Sequence, residues 1–187
     1  MDLKKIAASL LIGILITTSV AGFGENINAE LGENIVRLHI VANSNSSSDQ
    51  EVKLKVRDTL LSIMESCKDE EMVEDYLEEM KNAANRVLKE EGFSYEAKAE
   101  IGEFDFPTKY YDGFALPKGR YQAVRICLGE AKGENWWCVL FPPLCMVDAA
   151  TGEREALLKE TFGENYSVVA EGERPGFNIK FKLAEFF

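Results

Sequence analysis

The chain has 187 residues, of which 46% are hydrophobic and 28% are charged, and its formal net charge is −11. This length predicts one domain with enough residues to bury a core. A chain with a pI near 4.7 lacks the basic surface that phosphate neutralisation requires, which argues against nucleic acid as a partner. The same charge disfavours binding to an anionic membrane surface.

The N-terminus has the pattern of a secretory signal. A short basic start precedes an uncharged, mostly apolar stretch over residues 6–24. The small residues Ser19 and Ala21 suit signal peptidase, so residues 1–21 are predicted to be a signal peptide and the mature chain is expected to begin near Gly22. An uncleaved membrane anchor is the alternative. Both interpretations predict that the domain is exported.

Two helices are predicted in the first half of the domain. Residues 22–34 are predicted to be a polar connector, and the alternation over 35–42 predicts a strand. Ser48 and Glu51 match a capping box and predict the start of the first helix. Apolar residues at helical spacing over 70–91 predict the second helix.

The apolar period then changes to two, which indicates strands. Tyr95–Ile101 alternates apolar and charged residues. The apolar positions change parity after Gly102, so that Phe104 and Phe106 continue the pattern, which predicts a strand with a bulge.

The stretch 135–145 is the most unusual of the chain, since it contains both tryptophans and two of the four cysteines. Its run Trp136–Phe141 is wholly apolar and predicts a strand buried on both faces. Pro142 and Pro143 end it, because neither can donate a backbone hydrogen bond. With the preceding run 121–128 it is expected to form an antiparallel hairpin.

Weaker alternation predicts a last strand over 178–187. The predicted fold is α+β: a mostly antiparallel sheet covered by two consecutive helices, in a single domain over 35–187.

Four cysteines are too few to build a disulfide scaffold in a chain of this length. An exported protein can nevertheless carry one bridge. Cys138 and Cys145 flank the proline turn and are predicted to pair, which leaves Cys67 and Cys127 as buried thiols. The alternative is that all four are free thiols, since buried free cysteines are common.

Two interpretations of the tryptophan pair remain open. Trp136 and Trp137 can both belong to the core, or one can stay exposed beside the Pro142–Pro143 turn as part of a docking surface, because Trp is enriched in interface hot spots. The second interpretation adds residues on flanking loops. The candidate contact set is Trp136, Trp137, Pro142, Pro143, Tyr110, Tyr111 and Arg120.

No catalytic set is recognisable in the sequence. His39 is the single histidine, and a Cys–His pair would require it near Cys138 or Cys145. There is no glycine-rich phosphate loop, and too few ligands stand together for zinc. No catalytic residue, cofactor, metal or small-molecule substrate is therefore predicted.

Several blocks resemble one known family. They are Arg37–Ser44, continued through Asp49-Gln50 to Leu54–Asp58, then Phe106–Lys109, Leu116–Tyr121 and Asn135–Cys145. In this order they are similar to the stage II sporulation protein R family. The Trp-Trp-Cys block is long and unusual enough to be specific.

The resemblance implies a signalling role in endospore-forming bacteria. Members of the family are made in the forespore and exported into the intermembrane space of the sporulation septum. There they activate a membrane-embedded aspartic protease of the mother cell, which then processes pro-sigma-E. The family is credited with no enzymatic activity. The alternative from a different class is an exported hydrolase acting on cell-wall material, with His39 and a carboxylate or thiol at its centre.

Overall fold

The computed structural model describes residues 9–14, 32, 35–65, 73–147 and 152–170. Its strands are β1 (Val36–Val41), β2 (Ala97–Phe106), β3 (Lys109–Tyr111), β4 (Phe114–Leu116), β5 (Gly119–Leu128) and β6 (Asn135–Phe141). Its helices are α1 (Ser47–Met64), α2 (Leu77–Glu90), α3 (Glu153–Phe162) and α4 (Tyr166–Ala170). No helix in these ranges is long and apolar enough to cross a membrane. The signal cleavage site, nearly all of the connector, Cys67 and the predicted last strand lie outside the described residues.

The main sheet has four strands in the order β2-β5-β1-β6. β1 runs parallel to β5 and antiparallel to β6, while β2 and β5 are antiparallel. The predicted mostly antiparallel sheet under two helices is therefore confirmed. A second sheet is the two-stranded hairpin of β3 and β4.

The strand buried on both faces is β1 and not the tryptophan strand. All six residues of β1 are buried, whereas β6 lies at the edge of the sheet formed by the described residues and only its Cys138, Val139 and Leu140 are buried. The prediction for 136–141 was wrong in this respect, because an apolar run identifies a strand but does not give its position in the sheet.

The predicted hairpin of β5 and β6 was also wrong, because β1 lies between these two strands. Their connection, residues 129–134, crosses over the end of β1 and bonds to the chain that leaves it. The Gly133 N–H donates to the Ala42 carbonyl at 2.9 Å and the Lys132 N–H to the Asn43 carbonyl at 3.1 Å. Hydrogen bonds between loops that are distant in sequence therefore favour the strand order in which β1 lies between β5 and β6 over a simple hairpin.

One face of the sheet carries α1 and α2, as predicted, and holds the larger core. Its buried residues include Leu38, Ile40, Val56, Leu60, Met80, Leu88, Val124, Ile126 and Leu140. α1 begins earlier than the predicted capping box: Ser46 is the N-cap, and its hydroxyl accepts from the Asp49 N–H at 3.2 Å. α2 begins at Leu77, later than predicted, and residues 73–76 form a turn before it.

The other face is covered at only one end by described elements. The β3–β4 hairpin, α3 and α4 bury a second cluster there, which includes Ile35, Phe106, Phe114, Tyr121, Val139, Leu158 and Phe162.

The two cores explain why the predicted bulge in β2 is absent. β2 pairs with β5 without interruption from Ala97 to Phe106, but its first half packs under the helices and Phe104 and Phe106 pack on the other face.

Candidate functional site

A polar network joins the start of α1 to the loop 129–134. The Asn43 amide oxygen accepts from the Glu130 N–H at 2.9 Å, and the Asn45 amide oxygen accepts from the Glu134 N–H at 2.7 Å. The buried Lys53 ammonium donates to the Glu134 carbonyl at 3.0 Å. These side chains satisfy loop backbone groups that have no strand partner. The Asn-rich segment after β1 therefore has a structural role.

Asp49 is the centre of this network and is only 5% exposed. Its carboxylate accepts from Ser44 Oγ at 2.5 Å, from Asn43 Nδ2 at 3.0 Å and from Tyr95 Oη at 2.5 Å. Burial by itself raises the pKa of Asp49, but the bonds from Ser44, Tyr95 and Asn43 prevail and hold this pKa below its usual value. Burial and the bond to Asp49 both raise the pKa of Tyr95, which stays a donor.

Two glycines permit the close approach of the two loops. A Cβ at Gly133 would overlap the carbonyl oxygen of Ser44, and a Cβ at Gly129 would overlap the Asn43 side chain. Gly129 also has a φ of +56°, in the region that L side chains rarely adopt.

Arg37 is buried on the sheet face opposite the helices. Its guanidinium carbon lies 4.1 Å from the Phe106 ring centroid and 4.9 Å from that of Tyr121, and Nη2 donates to Tyr111 Oη at 2.5 Å. Nε and Nη1 have no hydrogen-bond partner in the part of the chain that the structure describes. Burial lowers the pKa of Arg37, and the nearby Tyr111 oxygen opposes this. Burial also raises the pKa of Tyr121 to about 12. The Arg37 cation is thus stabilised by two aromatic ring faces and one phenol oxygen, where a buried cation more often has a carboxylate partner.

His39 follows Arg37 on the same face and is stacked on Trp137, with ring centroids 3.8 Å apart and planes inclined by 14°. Its Nε2 shares a 2.6 Å hydrogen bond with the Asn135 amide oxygen. Burial lowers the pKa of His39, the bond to Asn135 raises it, and the cations Arg125, Arg37 and Lys109 lower it further. The imidazole is therefore neutral near pH 7 and donates its Nε2 proton to Asn135.

Beyond His39 the sheet carries no described cover, and we call this area the open face. It consists of Lys98, Glu100, Arg125, Cys127, Asn135 and Trp137, each exposed or half-exposed. Lys109 of β3 borders it, with its ammonium 5.4 Å from the Trp137 ring centroid. Arg125 stacks over Phe104 at 4.4 Å and forms an ion pair with Glu100 at 2.5 Å. Aromatic surface and charge are thus combined on one exposed patch.

The structure separates the two tryptophans of the candidate contact set. Trp136 packs against the helix-side core, with Arg57 of α1 5.4 Å from its ring centroid, whereas Trp137 lies on the open face. Both are half-exposed. Their opposite orientations follow from the alternation of side chains along a strand.

The remaining contact residues are dispersed. Tyr110 is 50% exposed on the β3–β4 hairpin, close to the Lys109 border of the open face. Tyr111 stacks on Phe114 at 4.6 Å and holds Arg37, so its contacts are internal. Arg120 lies on the face opposite Trp137 and pairs with Glu103 at 3.1 Å. The structure therefore does not gather these residues around Trp137: Arg120 lies on the opposite face, and Tyr110 alternates with Lys109 and Tyr111, which both face the sheet.

Cys138 and Cys145 form the predicted disulfide, with their Cα atoms 6.1 Å apart. Between them the half-buried Pro142 and Pro143 turn the chain back, and the Val139 N–H donates to the Cys145 sulfur at 3.2 Å. Cys127 is a free thiol, but it is half-exposed on the open face and not buried as predicted. Burial of this partly covered thiol still raises its pKa.

Opening this bridge is expected to destabilise the fold moderately. Replacing Cys138 and Cys145 together by Ala should lower the free energy of unfolding by about 2.5 kcal/mol, because the bridge closes a ring over a separation of 7 residues. Urea denaturation with and without reductant measures the change, and Cys127→Ala is the matched control. Four alkylatable thiols in freshly exported protein without reductant would contradict the bridge.

The structure provides no support for a Cys–His nucleophile from the bridged pair, because both sulfurs are in the disulfide. Within the described ranges, no group of three or more His, Cys, Asp or Glu side chains is placed to hold a metal ion.

Sequence reasoning missed the Asp49 network and the cations around His39. The Asp49 network had a recognisable signal in the sequence, since Asn and Ser side chains at the end of a strand commonly form hydrogen bonds with nearby backbone groups. The cations around His39 had no such signal, because Lys109 and Arg125 come from separate strands that come together only in the folded protein.

Comparison with known proteins decides the relationship. The family model described as stage II sporulation protein R matches residues 32–151. The chain belongs to the stage II sporulation protein R family. It is 32% identical over 215 residues to the stage II sporulation protein R of Bacillus subtilis (strain 168), an alignment that covers 97% of this chain and 96% of that protein. No solved structure matches the chain. The stretch matched by the family model includes the Asp49 network, the disulfide and the whole open face.

Proposed function

We propose that this protein is an exported sporulation signal that activates a membrane-embedded aspartic protease of the mother cell. In this proposal it is made in the forespore and acts in the intermembrane space of the septum. The activated protease then processes pro-sigma-E. Membership of the stage II sporulation protein R family carries the proposal.

The surroundings of His39 support a binding role over a catalytic one. The histidine that a hydrolase would need is 8% exposed and stacked on Trp137, and its Nε2 is engaged by an amide. Its low pKa and its cationic neighbours leave it a weak base that no described carboxylate orients. A protein without an active site can activate a protease only by binding one of its conformations more tightly than another.

Co-expression in a non-sporulating host tests the proposal. The full chain, the protease and pro-sigma-E are expressed together, and processed sigma-E is measured by immunoblot. Processing is expected only when the chain is present and exported. Controls omit the chain or remove residues 1–21, which should keep it in the cytoplasm. Equal processing without the chain would refute the proposal.

His39→Gln separates the signal from the alternative hydrolase. A hydrolase that uses the imidazole as acid or base should lose at least about a hundredfold in activity. A ligand should lose at most about tenfold in processing, because only the ring stacked on Trp137 is removed, once the amount of folded protein is matched by circular dichroism. Gln is preferable to Ala because His39 is packed between Trp137 and Phe106, and removing the ring entirely would leave a void.

A further inference from the structure

We propose that the open face binds a carboxylate-bearing, acidic segment of the partner protein, with Lys98, Lys109 and Arg125 as the recognising cations and Trp137 as the apolar anchor. This inference rests on the proposed function and names the surface and the chemistry through which it works.

Charge is distributed unevenly on this protein. The whole chain carries −11, yet the open face presents Lys98 and Arg125, with Lys109 at its border, against one acid, Glu100. Lys98 lies opposite Cys127 in the sheet, and Arg125 and Trp137 flank His39 on the two neighbouring strands. The Lys109 ammonium lies 5.4 Å from the Trp137 ring centroid. The cations therefore lie within a single patch. A positive area on an acidic protein attracts an acidic partner, and the negative charge elsewhere on the chain repels that partner from the other surfaces.

The cations of the patch retain capacity for a ligand. Neither Lys98 nor Lys109 forms an ion pair with any residue that the structure describes. Arg125 donates from both Nε and Nη2 to a single carboxylate oxygen of Glu100, at 2.6 Å and 2.5 Å. A lysine ammonium has three N–H donors and readily donates them to a carboxylate.

The same patch offers aromatic surface next to the charges. Trp137 is held in place by its stack on His39 and by an edge contact with Phe106 at 4.7 Å. A rigid, half-exposed indole beside cations is the composition of an interface hot spot. An acidic peptide with one apolar side chain matches both components. A polyanion such as nucleic acid does not, because the net charge of the whole chain repels it beyond the patch.

Charge reversal on the open face tests the inference. The variant Lys98→Glu/Lys109→Glu is compared with Lys89→Glu, an exposed lysine at the end of α2 on the helix side, and with Lys98→Arg/Lys109→Arg. The charge-reversal double variant is expected to reduce processing in the co-expression assay by at least about tenfold. The other two should stay within about twofold of the unchanged chain. Circular dichroism confirms that each variant is folded.

Binding is measured directly with purified chain and membranes that contain the protease. Membranes without the protease are the reference. The affinity should fall as salt is raised from about 0.05 to about 0.5 M, and the charge-reversal variant should lose this salt dependence.

Three outcomes overturn the inference. Processing by the charge-reversal variant within about twofold of the unchanged chain would show that the open face is not the contact surface. An equal loss in Lys89→Glu would show that overall charge and not this patch is responsible. Concentration-dependent dimers of the unchanged chain that the double variant abolishes would assign the face to a second copy. If the unchanged chain itself gives no processing, the proposed function fails instead.

Discussion

Asp49→Ala is expected to lower the free energy of unfolding by about 3 kcal/mol. The change leaves three donors without their acceptor, namely Ser44 Oγ, Asn43 Nδ2 and Tyr95 Oη. Hydrogen bonds to a buried charge are each worth about 1.5–3 kcal/mol, and their loss is not additive. Urea denaturation followed by circular dichroism measures the loss.

Asp58→Ala is the matched control, since Asp58 is an exposed carboxylate of the same helix whose side chain is 64% accessible. Its pairing with Arg57 is expected to contribute less than about 1 kcal/mol. Equal unfolding midpoints for Asp49→Ala and the unchanged chain would show that the network does not stabilise the fold.

The contribution of Asp49 depends on pH in a definite direction. Its pKa in the folded chain lies below the usual value of 3.8, so the unfolded chain takes up the proton first as pH falls. The stability that Asp49 provides is therefore complete above pH 3.8 and is lost as pH falls through the lower folded pKa. The difference between the unchanged chain and Asp49→Ala should be constant at neutral pH and shrink only in that acidic range.

The second large effect concerns the tryptophans, for which opposite outcomes are expected. Trp136→Ala should destabilise the fold by about 2 kcal/mol, because the ring packs against the helix-side core and under Arg57 of α1. Trp137→Ala should leave the chain folded but reduce processing by at least about thirtyfold, as expected for a hot-spot residue worth about 2 kcal/mol.

Thermal melts paired with the processing assay separate the two tryptophans. Processing per amount of folded Trp136→Ala should stay near that of the unchanged chain. Tyr110→Ala tests the β3–β4 hairpin separately, since Tyr110 is 50% exposed there. If Trp137→Ala unfolds, Trp137 belongs to the core. If it folds and signals normally, the partner binds elsewhere.

Local pattern was sufficient to predict the two helices and most strands. α1 and α2 place apolar side chains at helical spacing, and β5 and β6 are apolar stretches bounded by turns. Such periodicity survives in the sequence because each element has to bury one face. The disulfide was predictable for a similar reason, since a proline turn between nearby cysteines brings them together.

The Arg37–Gln50 block was recognised from the sequence, but its role was not. Its first residues belong to the buried strand β1, and Asn43, Ser44 and Asp49 then form the loop network. Hydrogen bonds to residues 129–134 involve partners more than 80 positions away, and no local pattern reports them. The capping residue was misplaced for the same reason: Ser46 caps α1 while Asp49 and Ser44 bond within the network.

By itself, the sequence determined the family resemblance and the α+β class, and it predicted the bridge between Cys138 and Cys145 with four free thiols as the alternative, because each of these depends on motifs or on the periodicity of neighbouring residues. Only the tertiary structure decided the strand order, since β1 separates β5 and β6 through contacts between distant loops. It also decided which tryptophan lies on the helix side of the sheet and which lies on the open face. The helices cover the side of Trp136, and on the side of Trp137 the described elements stop short of the open face, beside cations from other strands. Periodicity shows which side chains a strand presents together, whereas what covers them is a property of the assembled fold.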